Sequence, residues 1–280
     1  MPLTRRQLLL GGAACVCSGA LGVYVGRETA PEVAARPTGT TGTSLLPTDD
    51  VGDRIRAQPN GVFNVDTDDP VVAMTFDDGP DPNYTPHVVQ LLDRFDAKAT
   101  FFSIGVNAVA HRDLLATQMK AGHSIGNHTL DHPDLEGLGP KEVKAQIDGG
   151  EQKLLEAGAP DPDFFRPPRG HTDDVVGIVA DSDEYVTVFW TVCVEHFVLH
   201  RPLDQAVADM LAWVDAGSII LAHDGGTIAS PDRPDVIDRS KTMEALPLVF
   251  EGLRKKGLHI VDIPTLFKAK PGPPDRDTRR

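Results

Sequence analysis

The stretch Val71–Pro82, "VVAMTFDDGPDP", decides how the rest of the chain is read. Its leading run is largely apolar with no alternation, the pattern of a strand covered on both faces, as in a parallel sheet. The run then delivers two neighbouring carboxylates, Asp77 and Asp78, before a Gly-Pro turn. Like charges side by side repel, so the pair reads either as an ordinary Asp-Gly-Pro turn in solvent or as one half of a site whose cation reverses the balance.

Further runs of the same kind follow: "ATFFSI", "HSIGN", "DFFRPP", "VTVFWTV", "GSIILAH" and "HIVDI". Between them lie helical patterns. Thr85-Pro86 ahead of "HVVQLLDRF" predicts a helix capped by Thr85 with proline in the first helical position. "PKEVKAQIDGGEQKLLEAG" and "SKTMEALPLVFEGLRKKG" read as amphipathic helices, the second stopping at Gly257. Alternation of strand and helix predicts a single-domain α/β body with a parallel sheet, open or closed into a barrel, over residues 70–268. No internal repeat is visible.

The flanks are different in kind. Residues 1–26 hold "TRRQLLL", with Arg5 and Arg6 ahead of an apolar, Gly- and Ala-rich run, and resemble a twin-arginine export signal. The alternative is a membrane anchor, since the run is nearly long enough to span a bilayer and Val33-Ala34-Ala35 is a weak cleavage site. Either way the chain is expected outside the cytoplasm, secreted or tethered. Residues 27–69, rich in Thr, Pro, Gly and Asp, read as a flexible linker, and residues 269–280 as a disordered tail. Of three cysteines, Cys15 and Cys17 fall in the export segment, which leaves Cys193 as a lone buried thiol and no disulfide framework. A formal charge of -14 over 280 residues argues against nucleic acid as a partner. A monomer is expected.

Chemistry-bearing residues recur where the strands end: Asp77 and Asp78, then Arg166 in "FFRPPRG", then His223 and Asp224 closing "GSIILAHD". In parallel α/β folds the carboxyl ends of strands are where sites form. "NHTLDHPDL" places His128 and His132 four apart, and one helical turn would bring both imidazoles to one face. Alone, such a pair is more often a solvated surface pair. With an Asp it completes a three-ligand set for a divalent metal that leaves a position open.

"TFDDGPDP", "GHSIGNHTLDHPDL", "RPPRG" and "GSIILAHDGG", in this order, resemble the motifs of the polysaccharide deacetylases that share the NodB homology domain, carbohydrate esterase family 4. The resemblance covers about Pro70 to Phe267. It implies a distorted (β/α) barrel, a divalent metal (commonly zinc or cobalt), and hydrolysis of acetyl groups on a polysaccharide such as peptidoglycan. By motif, Asp78, His128 and His132 are the implied metal ligands and Asp77 the general base. Arg166 is implied to restrain Asp77, and His223 to be the general acid for the leaving amine. The backbone N–H of Arg169, after Pro167 and Pro168, is implied to donate to the oxyanion, and Leu221 to line the acetyl pocket. His87, His111, His171, His200 and His259 lack motif support and read as structural or surface residues.

Two departures from the pattern matter. Arg169 stands where an aromatic residue is usual, which puts a cation beside the groove. "WTVCVEHF" puts Cys193, His196 and Phe197 where aspartates and a Trp are usual, one of them the carboxylate that supports the catalytic histidine. His223 is therefore expected to be a weaker proton donor, and the enzyme slowed, unless Glu195 or Asp224 compensates. The competing expectations are a glycan-binding pseudoenzyme that keeps the metal and a hydrolase of small-molecule amides.

Overall fold

The computed structural model describes residues 61–228 and 236–270. The expected export segment, most of the expected linker and residues 271–280 lie outside the described residues.

The opening stretch forms β1 (Val71–Asp77), hydrogen-bonded in parallel to β2 (Thr100–Ser103) over its second half and to β7 (Ile219–His223) along Ala73–Asp77. Then come β3 (Ser124–Asn127), β4 (Phe164–Phe165), β5 (Val186–Thr187), β6 (Val192–Cys193) and β8 (His259–Val261), which pairs with the start of β1. All named pairings are parallel, in the order β5-β4-β3-β2-β1-β7-β6. β5 and β6 sit at opposite ends of this order, yet only residues 188–191 join them. A flat sheet of seven strands would hold its outer strands about 29 Å apart. The joining residues reach at most about 18 Å. The sheet therefore rolls into a distorted (β/α) barrel.

This closure corrects one expectation. "VTVFWTV" is not one strand but two short ones, because Val188 bridges to Val62 while Thr191 has already turned its N–H to Ile219. The seam is filled by chain assigned to the linker: Val62 donates to Thr187, Val65 donates to Gly217, and Phe63 stacks on Phe189 with ring centroids 4.8 Å apart. Thr67 and Asp69 both hydrogen-bond Lys270. The folded body thus begins by residue 61 rather than 70 and runs through 270.

Alternation along β1 sorts its side chains. Val72, Met74 and Phe76 join the apolar layer under the helices, whereas Ala73 faces an inner cluster with Phe102, Phe189, Trp190, Ile219 and Leu221. By the same alternation Thr75 and Asp77 point inward. The helices of the outer layer include α1 (Thr85–Arg94), α2 (Gly105–Ala110), α3 (Arg112–Lys120), α4 (Pro140–Glu156), α5 (Asp174–Ser182), α6 (Val194–Val198), α7 (Leu203–Leu211), α8 (Ser240–Lys255) and α9 (Ile263–Leu266). The three helices expected around residues 85, 140 and 240 all form. Thr85 is not the cap of α1, however. The N-cap is Tyr84, and the Thr85 hydroxyl is used instead to hold Asp224 at 2.6 Å.

Candidate active site

At the carboxyl end of β1, Asp77 closes the inward row and meets Arg166, which extends from the turn after β4. Arg166 is fully buried, and burial lowers its pKa against the opposing pull of Asp77. A buried charge persists only when paired and hydrogen-bonded. Here every guanidinium nitrogen is engaged: Nε on Val188 O, Nη2 on Phe189 O, and Nη1 on Thr75 Oγ1 and on Asp77 Oδ1 at 2.7 Å. Phe102 covers the guanidinium face at 4.1 Å. Asp77 is left with Oδ2, which lies 3.8 Å from His128 Nε2.

Asp78 does not continue the strand. Its φ of 73° is left-handed, which turns the carboxylate out of the strand's alternation and toward β3. The turn is locked from behind. Asp78 O accepts from Asn107, and a Cβ at Gly225 would sit 2.2 Å from the Asp78 backbone, so that position admits glycine alone. Gly226 N–H bonds Asp81 Oδ2, tying the loop after β1 to the loop after β7.

His128 and His132 reach Asp78 from the loop after β3, where the sequence suggested one helical turn. No helix forms. Thr129 and His132 both take left-handed backbone (φ 71° and 62°), and the loop is pinned by Thr129 N–H on Asn127 Oδ1 and His132 N–H on Thr129 Oγ1. The two rings still come together, centroids 5.0 Å apart. His128 Nδ1 lies 2.7 Å from Arg166 O. A carbonyl oxygen only accepts, so Nδ1 carries the proton and Nε2 presents its lone pair. That lone pair is 3.4 Å from Asp78 Oδ1, and His132 Nε2 is 3.2 Å from the same oxygen.

These three residues fit a divalent metal. Asp78 Oδ1 is buried without a hydrogen bond, and its three candidate ligand atoms converge. Burial, with smaller contributions from His128, Arg169 and His223, holds His132 down at about pKa 3, against the pull of Asp78, so the ring is neutral as a ligand must be. Burial alone would raise the Asp78 pKa, but His128, His223 and His132 outweigh it and keep the carboxylate well below its usual range. Asp78 Oδ2 is taken separately, by Arg239 Nη2 at 2.8 Å, with Arg239 Nε on Gly225 O. Arg239, ahead of α8, was not singled out in the sequence. A lone arginine 161 residues from its partner carries no local signal.

Opposite, His223 ends β7 with Nε2 4.0 Å from Asp78 Oδ2. Its other nitrogen, Nδ1, is 3.2 Å from Glu195 Oε2. The expected loss of carboxylate support is therefore made good. Glu195, in the first turn of α6, reaches His223 from the residue before His196, and its Oε1 accepts from His223 N–H and Thr242 Oγ1. Burial would lower the His223 pKa, but Glu195 and Asp78 overcome it and raise it. Asp224 does not compensate. It turns behind Gly79 onto Thr85 and Gln118, where burial, helped by Asp78, Asp77 and Asp81 and opposed by the Thr85 hydrogen bond, pushes it up to about pKa 7. His196 instead sets its ring edge-on against Phe197.

Pro167 and Pro168 are buried, while Arg169 is exposed at the rim with left-handed backbone (φ 59°). Leu221 is buried two residues before His223 on the inner face. The strand ends thus gather a carboxylate with a free oxygen, three converging ligands, a paired imidazole and a backbone turn around one spot.

The polysaccharide deacetylase family matches residues 64–188. A peptidoglycan-N-acetylglucosamine deacetylase of Bacillus cereus is 34% identical over 78% of this chain and 98% of its own length. A chitooligosaccharide deacetylase of Sinorhizobium fredii is 34% identical over 70% of this chain and 91% of its own. Among solved structures, a peptidoglycan N-acetylglucosamine deacetylase bound to an N-hydroxybenzamide superposes with a TM-score of 0.66 at 28% identity, over 76% of this chain and 95% of that one.

Proposed function

This chain belongs to the polysaccharide deacetylase family and is a polysaccharide deacetylase, and we propose that it removes N-acetyl groups from N-acetylglucosamine in peptidoglycan, outside the cytoplasm, with a divalent metal held by Asp78, His128 and His132. The observation that carries this reading is the buried, unbonded Oδ1 of Asp78 facing two imidazole nitrogens, with Asp77 and His223 on its two sides. Two imidazoles and one carboxylate suit zinc or cobalt. Bound there, the ion would supply Lewis acidity to the amide carbonyl and to the attacking water.

The rest falls to this chain's own side chains. Arg166 fixes Asp77 through Oδ1, so Oδ2 accepts the proton of the water that attacks the acetyl carbon. The Arg169 N–H donates to the oxyanion that forms. An amine leaves poorly unless protonated, and His223, kept protonated by Glu195, delivers that proton. Leu221 walls the space for the acetyl methyl. Export is supported by Arg5 and Arg6 in "TRRQLLL", and peptidoglycan by the activity named for the Bacillus cereus relative.

The test is acetate release from peptidoglycan, N-acetylglucosamine oligomers and acetylated xylan, before and after removal and return of the metal. Release that needs metal and disappears in Asp77→Asn supports the enzyme. Glycan binding with no release under any ion would instead make the chain a pseudoenzyme.

A further inference from the structure

Behind His223 a second set of ligand atoms converges, apart from the Asp78 site. Cys193 ends β6, Glu195 follows in the first turn of α6, and His223 ends β7, brought alongside by the pairing of β6 with β7 (Cys193 with Leu221). Glu195 spends Oε1 on Thr242 and the His223 N–H, both neutral donors. That leaves Oε2 facing the Cys193 thiol at 3.4 Å and His223 Nδ1 at 3.2 Å. Despite this closeness, Nδ1 is buried without an aligned hydrogen bond. Sulfur, carboxylate oxygen and imidazole nitrogen all lie within 4.8 Å of one another. One soft donor, one hard donor and one imidazole form a set that borderline and soft divalent ions prefer over magnesium or manganese.

We propose that Cys193, Glu195 and His223 form a second, inhibitory binding site for a thiophilic divalent cation such as zinc or cadmium. The inhibition rests on the reading of His223 as proton donor. Binding forms bonds from the cation to Sγ, Oε2 and Nδ1, displaces the thiol proton and the Nδ1 proton to solvent and changes no oxidation state. Sγ and Nδ1 must each shed a proton to bind, so the cation competes with protons and binds more tightly as pH rises. With Nδ1 bound to a cation, the ring keeps one proton, on Nε2, as a neutral imidazole far less acidic than the imidazolium, and no longer gives it up to the leaving amine. The Asp78 site lacks sulfur, so the two sites respond differently to different ions.

The experiment uses the full chain, first loaded with one equivalent of zinc, then titrated with zinc, cadmium or manganese while acetate release and the ultraviolet thiolate-to-cadmium absorption are followed. Cys193→Ser is titrated in parallel, which subtracts any signal from Cys15 and Cys17. We expect zinc and cadmium beyond the first equivalent to inhibit and manganese not to. In Cys193→Ser the inhibitory midpoint should shift upward about tenfold or more, as loss of one of three ligands implies, and the Cys193 share of the absorption should vanish. An inhibitory midpoint unchanged in Cys193→Ser, or absorption identical in the two proteins, overturns the proposal. Absorption lost in the variant of a protein that releases no acetate would support the cation site while refuting the deacetylase reading.

Discussion

The two sides of the site are built differently. On the ligand side, Asp77, Asp78, His128, His132 and Arg166 come from the residues that close β1, follow β3 and follow β4, each in its motif and each held by hydrogen bonds to backbone or to one another. On the proton side, His223 stands in its motif but its partner does not. The carboxylate comes from Glu195, one residue away from the position the pattern assigns and, as glutamate in place of aspartate, one methylene longer in reach. To hold the proposed ion the ligand side would need fixed geometry, whereas the proton side needs only that a carboxylate arrive at Nδ1. A geometric requirement fixes which position supplies the group, and an electrostatic one accepts a neighbour that brings the same charge.

The largest expected effect tests the ligand side. Asp77→Asn keeps the hydrogen bond from Arg166 but cannot accept a proton, so kcat should fall about 10²- to 10⁴-fold with metal content by elemental analysis unchanged. Arg239→Ala should sharpen the contrast from the same side. With Asp78 Oδ2 released, metal affinity measured against a competing chelator should weaken about 10- to 100-fold, as for other partners of ligating side chains.

On the proton side, Glu195→Gln removes the charge that raises the His223 pKa. His223 must be protonated to act, so the alkaline limb of the kcat/KM profile should move to lower pH, with activity at the former optimum down about tenfold. An unmoved limb would show that Glu195 does not support His223. The smallest effect is expected from His196→Asp. Because Glu195 already occupies the place beside Nδ1, the substitution should change kcat/KM by less than about threefold. A large gain would break the comparison, since the pattern's own position would then still matter.

Much of this was legible in the sequence. The strand ending in Asp77 and Asp78, the parallel α/β body and the convergence of Asp78, His128 and His132 all follow from motifs at strand ends. The loop holding the histidines is not the helical turn that their spacing suggests, because the left-handed backbone of Thr129 and His132 is disfavoured locally and is imposed by Asn127 and by neighbouring chain. The break in "VTVFWTV" has no turn residue to announce it. It arises only because the sheet must close across residues 188–191, a requirement that local composition does not carry. Arg239 was silent for the same reason that long-range ion pairs usually are.

The clasp of Thr67 and Asp69 on Lys270 sets the carboxyl-terminal exit of the described body at the pole where β1 begins, whereas Val62 lies beside Thr187 and Phe189 at the carboxyl end of β5. The reactive end lies at the pole opposite the clasp. A segment fused after Lys270 would therefore start away from the mouth and leave the approach of a long polymer open.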